Sequence, residues 1–256
     1  MRAITATWIA AFREVLSKRR ALYVDVSIMV INDFTWIVLW TFLLDNTGPI
    51  RGWDIDRVYL LFCVVATSFG ISCGLFANTR RFSQLIMNGE LDAALTLPVD
   101  TLTYLLVRRV AAPALGDIVF GLGLLFIAVR PSPSEFGIFL VVSLLGALVM
   151  SSFLVLMGAL TLHFGGKGEQ ADLGFEAITI FSFYPLDMFG GPTKVLLFTA
   201  LPGAFVTGVP VELIDHFDVV MMGGLVLAAA VFTIAARVTF TTGLRKYRSG
   251  SRWTAA

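Results

Sequence analysis

Five stretches of this sequence, at about residues 21–44, 58–77, 102–129, 136–164 and 219–240, are apolar for longer than a soluble helix can bury. Crossing the roughly 30 Å hydrocarbon core of a bilayer takes about 20 such residues in a helix, and each stretch reaches that length. Lipid offers no water to backbone N–H and C=O groups, so only helices and closed barrels cross it. Unbroken apolar runs without a two-residue alternation choose the helix. Composition agrees: the chain is 57% hydrophobic and 14% charged, with a mean hydropathy of +0.84. Soluble domains carry roughly a quarter charged residues. A net charge of +1 provides no broad field for nucleic acid. The expected fold is an all-α integral membrane protein forming a single domain over residues 1–256.

Residues 165–218 decide how many times the chain crosses. One apolar run covers about 173–189, and a second, about 195–209, is cut by Pro202 and Gly203 with Pro185, Pro192 and Pro210 around it. If both cross there are seven spans, and if only the first crosses there are six. Basic residues collect on the cytoplasmic side of membrane proteins. Six spans place Arg2, Arg13, Lys18, Arg19, Arg20, Arg80, Arg81, Arg108, Arg109 and Lys167 inside, with the tail residues Arg237, Arg245, Lys246, Arg248 and Arg252. Only Arg51, Arg57, Arg130 and Lys194 remain outside. Seven spans put the basic tail outside, so six are expected, with both termini cytoplasmic. The interrupted segment, residues 190–212, then reads as a re-entrant helical pair on the outer face, or alternatively as an apolar loop lying on the lipid surface.

Ahead of the first span, residues 1–20 show no continuous apolar core of a cleavable signal, so the first span is expected to direct insertion. Ile4, Trp8, Phe12, Val15 and Leu16 recur at helical spacing, with Arg13, Glu14, Ser17 and Lys18 elsewhere on the wheel. That pattern fits an amphipathic helix in the membrane interface, or a plain basic flank. Cys63 and Cys73 share the second span, ten residues and thus about 15 Å apart. A disulfide needs Cα atoms within about 7 Å, so both are expected as small buried side chains.

The segment from residue 78 to 100 is too polar to cross and too patterned to be a tether. Phe82, Leu85 and Ile86 make one apolar stripe, Asn88-Gly89 is a helix stop, and Glu90 and Asp92 suit the first turn of a second short helix. Leu91, Ala94 and Leu95 give that helix its apolar side, Pro98 ends it, and Asp100 is placed to cap the next span. Two readings are open. The elbow either covers the ends of the bundle or is a rigid plug for a soluble partner.

The chain carries no GxxxxGK[ST] phosphate loop, the nearest run being Gly165-Gly166-Lys167-Gly168. Its two histidines, His163 and His216, fall on opposite sides in this topology, and no HExxH or GxSxG motif is present. Catalysis by this chain alone is not expected. Polar residues at membrane depth are costly and often functional: Asp25, Asn32, Asp33 and Asp117 qualify. Asp25, Met29, Asn32, Trp36 and Trp40 fall on one helical face, with Asp33 beside it. The bland alternatives are that Asp25 reaches the interface and that Asp117 satisfies backbone groups freed by Pro113.

Three stretches in this order, MNGELDAALTLPVD (87–100), FSFYPLDMFGGPTKVLLFTALPGAFVTGVPVELI (181–214) and TFTTGLRKYRSGSR (239–252), resemble small six-span permeases of the type-2 ATP-binding-cassette (ABC) exporter family. The layout is also similar: an interfacial helix, an elbow between spans two and three, and a re-entrant outer segment before the last span. The resemblance implies that the elbow is a coupling helix docking on a separate ATPase. The contacts it implies are Arg81, Phe82, Leu85, Ile86, Gly89, Glu90, Leu91, Asp92, Leu95 and Pro98, with the turn at 163–172 a lesser one. It further implies a cavity between two permeases, lined here by Asn32, Asp33 and Trp36 with Phe181 and Phe183 opposite. Two ATPase subunits would carry ATP and Mg²⁺, this chain binding no cofactor, and a second permease, identical or paralogous, would complete the assembly in the cell membrane. The competing class is an ATP-independent membrane carrier or scaffold, and carriers of that kind usually show internal repeats with paired broken helices.

Overall fold

The computed structural model describes residues 2–165 and 168–247. Lys167, Arg248 and Arg252, counted above as inner basic residues, lie outside the described residues, as do parts of the turn at 163–172 and of the 239–252 stretch. The described chain runs α1 (Arg2–Ser17), α2 (Arg19–Thr47), α3 (Ile55–Phe69), α4 (Phe82–Met87), α5 (Glu90–Leu95), α6 (Thr101–Val107), α7 (Ala112–Leu124), α8 (Pro133–Ala159), α9 (Thr161–Phe164), α10 (Glu169–Ser182), α11 (Gly191–Phe198), α12 (Gly208–Asp215) and α13 (Val219–Leu244). The fold is an all-α integral membrane protein.

Five passages are long and apolar enough to span: Arg19–Thr47, Ile55–Leu75, Ala112–Val129, Pro133–Phe164 and Val219–Leu244. α3 and α7 each finish in a π-helical turn, Gly70–Leu75 and Leu125–Val129. α8 opens on a capping box, Ser132 accepting from Glu135 N and Glu135 from Ser132 N. α8 and α3 are buried in the middle of the bundle, whereas α2 and α13 expose most of their apolar surface, as helices facing lipid or another protein do.

The third span starts later than the sequence suggests. Residues 102–129 are not one helix: α6 ends at Val107 and α7 begins at Ala112 with Pro113 in its first turn. Proline is suited to that position because its missing N–H would be unpaired there anyway. Arg108 and Arg109 fill the break, which is pinned to the end of span two by Ala77 N to Arg109 O (3.2 Å) and Ala111 N to Gly74 O (2.9 Å). Asp100 therefore caps α6 rather than the span.

The stretch expected as a span at about 173–189 is not one of these five and is short. α10 has 14 residues, about 21 Å of rise, and stops ahead of Pro185, whose ring disfavours helix in the residue before it. The chain nevertheless travels from one end of the bundle to the other. Gln170 near its start bonds Thr161 (3.2 Å), and Asp187 at its far end accepts from Trp53 Nε1 (3.1 Å) and, through its carbonyl, from Arg51 (2.9 Å).

Residues 190–212 enter and leave at that same far end. Lys194 pairs with Asp187 (3.0 Å) where the segment begins; Arg57 pairs with Glu212 (2.6 Å) and Asp215 (2.8 Å) where it finishes. The helices between bend by 62°. Leu197, Ala204, Val206 and Val211 are buried, and the Gly203 carbonyl is satisfied by Val206 N (3.0 Å), Thr207 N (3.1 Å) and the Thr207 hydroxyl (2.9 Å), as backbone at that depth requires. The segment leaves and rejoins the same end of the bundle with its middle buried, the course expected of a re-entrant pair.

Candidate functional site at the elbow and in the spans

The elbow is seated on the bundle by its apolar stripe. Phe82, Leu85, Ile86, Leu91 and Ala94 join Leu105, Val155, Ala159, Leu162, Ala236 and Phe240 in one buried cluster. The Phe82 ring meets Phe240 edge-on at 5.5 Å. α4 lies flush on α8 because residue 158 is glycine: a Cβ there would sit 2.9 Å from Phe82 Cβ and 3.0 Å from Ser83 N. Gly89 takes a left-handed φ of 72° and turns the chain into α5. Glu90, opening α5, forms an ion pair with Arg108 in the break before span three. Asp100 accepts from Thr103 N and Oγ1 (3.0 and 2.7 Å) and from Arg237 on α13 (2.9 Å). Burial pushes the Asp100 carboxyl up, but the Thr103 bonds and the Arg237 charge outweigh it and hold it below its ordinary value.

Four of the residues singled out in the elbow, Phe82, Leu85, Ile86 and Leu91, are therefore buried inside this chain. Their side chains hold the elbow in place and are not on its surface. Arg81 is half-buried and bonds Gln84 (3.3 Å); Gly89, Glu90 and Asp92 are half-buried; Leu95 and Pro98 are exposed. The structure adds two large apolar residues to the outward side, Met87 at 38% and Leu97 at 39% exposure, beside Leu95 at 45%. Both flank the chain breaks at Asn88-Gly89 and Pro98, a signal the sequence does carry. At the same end of the molecule, His163 bonds the Thr239 carbonyl (2.8 Å). α1 is seated there too: Trp8 stacks on Phe76 (6.3 Å, 11°) and donates to the Leu75 carbonyl (3.2 Å). Ile4, Phe12 and Val15 are half-buried as the spacing suggests, while Leu16 is exposed.

In the first span the inward stripe is Asp25, Met29, Asp33, Trp36 and Trp40, so Asp33 and not Asn32 lies on it. Asn32 is exposed beside it and donates to Asp33 Oδ1 (3.4 Å). Trp36 stacks on Phe183 (4.7 Å), which also stacks on Phe62 (6.1 Å) and Phe69 (6.4 Å). Phe181 points elsewhere, packing on Phe189 (5.2 Å) beside the re-entrant segment. Asp117 does not serve a proline-broken backbone, since Pro113 starts α7 rather than interrupting it. It is almost wholly buried instead.

Among the described residues no cluster of His, Cys, Asp or Glu is arranged to hold a metal ion. No curated protein matches the chain. The family model for the ABC-2 family transporter protein matches residues 30–251, which takes in the elbow, Asp33, Asp117 and the re-entrant segment. The chain belongs to the ABC-2 transporter family, and is a permease component of an ABC transporter.

Proposed function

We propose that this permease forms half of an export pathway through the cell membrane and is driven by separate ATPase subunits that dock at the elbow end. The observation carrying this reading is the division of labour within the elbow. Its inner side is locked to α8 and α13 by a buried aromatic and aliphatic cluster, while Met87, Leu95, Leu97 and Pro98 are left exposed. An apolar ridge on a rigid mount is suited to a partner's groove. A push on the ridge reaches Phe82 and Phe240 directly, and through Asp100–Arg237 it reaches α13 a second time.

The ridge lies at the end where Arg80, Arg81, Arg108, Arg109, Arg237 and Arg245 gather. At the other end Arg51 is held by the Asp187 and Met188 carbonyls, Lys194 by the Asp187 carboxylate and Arg57 by Glu212 and Asp215. That asymmetry supports a cytoplasmic elbow, with α1 and the end of α13 on the same side. The ATPases would bind ATP and Mg²⁺, two of them beneath two permeases, identical or paralogous. The lightly buried faces of α2 and α13 offer surface for lipid and for that second permease. Asn32, Asp33 and Trp36, with Phe183 stacked on Trp36, would line the pathway, Phe181 contributing where it adjoins the re-entrant segment.

Co-purification of a co-expressed ATPase tests the docking claim. Leu95→Asp with Leu97→Asp is expected to release the ATPase while the permease elutes and unfolds as the native chain does. An intact complex would remove the ridge from the interface.

A further inference from the structure

Where the elbow, α1 and the first three spans meet, the structure leaves a cavity of about 740 Å³. Its walls come from α1, the joint at Lys18, the start of α2, the elbow, and residues 108–113 in the break before α7. That volume lies in the range of small-molecule sites, roughly 300–1,000 Å³. The spans fix its depth. Span one begins beside it at Arg19, span two has ended at Leu75, and span three begins at Ala112. The cavity is therefore level with lipid headgroups, whichever leaflet they belong to.

The charged side chains in its walls are Lys18, Arg81, Arg108 and Arg109 against Glu14, Asp25 and Glu90. Two pairs are closed among themselves: Lys18 with Glu14 (2.8 Å) and Arg108 with Glu90. Arg81 and Arg109 then face only Asp25. Arg81 bonds the neutral Gln84 (3.3 Å), and neither Arg81, Arg109 nor Asp25 has an ion pair among the described residues. A guanidinium is all donor, and its fork matches a phosphate through two parallel bonds. The N-terminus of α7, uncapped by any side chain, begins on the same wall and adds positive potential. Ala11, Val15, Leu85 and Val110 make the rest of the lining apolar. A basic pocket between spans at headgroup level suits an anionic lipid, and the apolar lining suits its glycerol backbone better than a free ion.

We propose that this cavity holds the headgroup of an anionic phospholipid that carries hydroxyl groups. Arg81 and Arg109 take the phosphate, and Asp25 accepts a hydrogen bond from a headgroup hydroxyl. The acyl chains continue into the bilayer. One lipid molecule thereby touches α1, the elbow and the break before α7 together. The site goes beyond the docking of an ATPase and does not depend on it.

The test is native mass spectrometry of the full chain released from detergent, with dioleoyl phosphatidylglycerol as the probe. One tightly retained lipid per chain is expected, and zwitterionic dioleoyl phosphatidylethanolamine should bind at least tenfold more weakly. Arg81→Gln with Arg109→Gln should weaken phosphatidylglycerol binding at least tenfold. Ala11→Trp, which fills the cavity without changing a charge, should do the same and keeps the test open if the arginine variant does not fold. Arg19→Gln with Arg20→Gln removes the same charge from exposed positions outside the cavity walls, and should leave binding unchanged. Binding that survives a folded Arg81 and Arg109 double variant or the Ala11 variant overturns the proposal. So does an equal loss in the Arg19 and Arg20 variant, which would mean diffuse surface attraction, or equal binding of phosphatidylethanolamine. Displacement of the lipid by millimolar inorganic phosphate would assign the cavity to a soluble anion and overturn the lipid as its occupant.

Discussion

The two ends of this permease solve the same local problem differently. At each end short helices of six to eight residues, broken by Gly and Pro, connect long apolar spans. At the far end the re-entrant pair turns inward. α12 buries Gly208, Val209, Pro210, Val211, Leu213 and Ile214, and its polar residues are spent on Arg57. At the elbow, α4 and α5 bury one side only and leave Met87, Leu95 and Leu97 outward. One region closes the protein on itself and the other holds a face ready for a partner. Amphipathic helix pairs alone do not separate the two cases; which apolar residues the bundle covers does.

The largest expected effect lies on the buried side of the elbow. Phe82→Ala should cost about 3–5 kcal/mol of elbow stability, the range for emptying a packed aromatic site. It is measurable as early hydrogen exchange across α4 and α5. Leu91 is equally buried, so a Glu90 and Leu91 double change would unseat the elbow and could not report on docking by itself. Leu95→Ala, by contrast, should stay within about 0.5 kcal/mol of the native chain. Equal costs for Phe82→Ala and Leu95→Ala would erase the distinction between the two sides.

Next in size is Gly158→Val, which puts a branched side chain where even a Cβ approaches Phe82 to 2.9 Å. Overpacking of this kind costs about 1–3 kcal/mol and should tilt α4. ATPase binding should weaken although no surface residue has changed. Arg57→Gln breaks both ties to the re-entrant pair at the far end. Because these groups are partly exposed, the loss should be roughly 1–2 kcal/mol. Thermal unfolding should show it, and ATPase binding should be unaffected.

The smallest effect is a pH dependence of the elbow. The folded-state pKa of Asp100 is depressed, so its contribution is fully present above the ordinary carboxylate range. It is lost as pH falls below about 4 and through the folded value. Exchange protection of α6 should fall in that window, and Asp100→Asn should remove the dependence.

Much of this was legible in the sequence, and the gaps have physical causes. Asn88-Gly89, Pro98 and the acids at 90 and 92 mark both elbow helices correctly, because caps and stops act through neighbouring backbone. The outward direction was not legible. Leu91 and Leu95 lie on the same stripe of a six-residue helix, and only the position of α8 and α13 decides that one is covered and the other is not. The Arg108–Arg109 break was hidden by continuous hydropathy from 102 to 129, Pro113 being read as internal to the helix rather than its first turn. In span one, Asn32 and Asp33 are adjacent, so a period drawn through Asp25 and Trp36 cannot separate them. The close approach of Val26 and Met29 to Gly116, which turns that side of α2 towards α7, does.

The central claim, that the exposed ridge of the elbow is where the ATPase docks, is tested most directly by site-specific photo-cross-linking in cells. A benzophenone amino acid would be placed at Leu97, and for comparison at Val220, an apolar and still more exposed residue near the start of α13 at the far end. A cross-link to the ATPase from position 97 and none from position 220 is the predicted result. A cross-link from position 220, or none from 97 while the complex is intact, would contradict it.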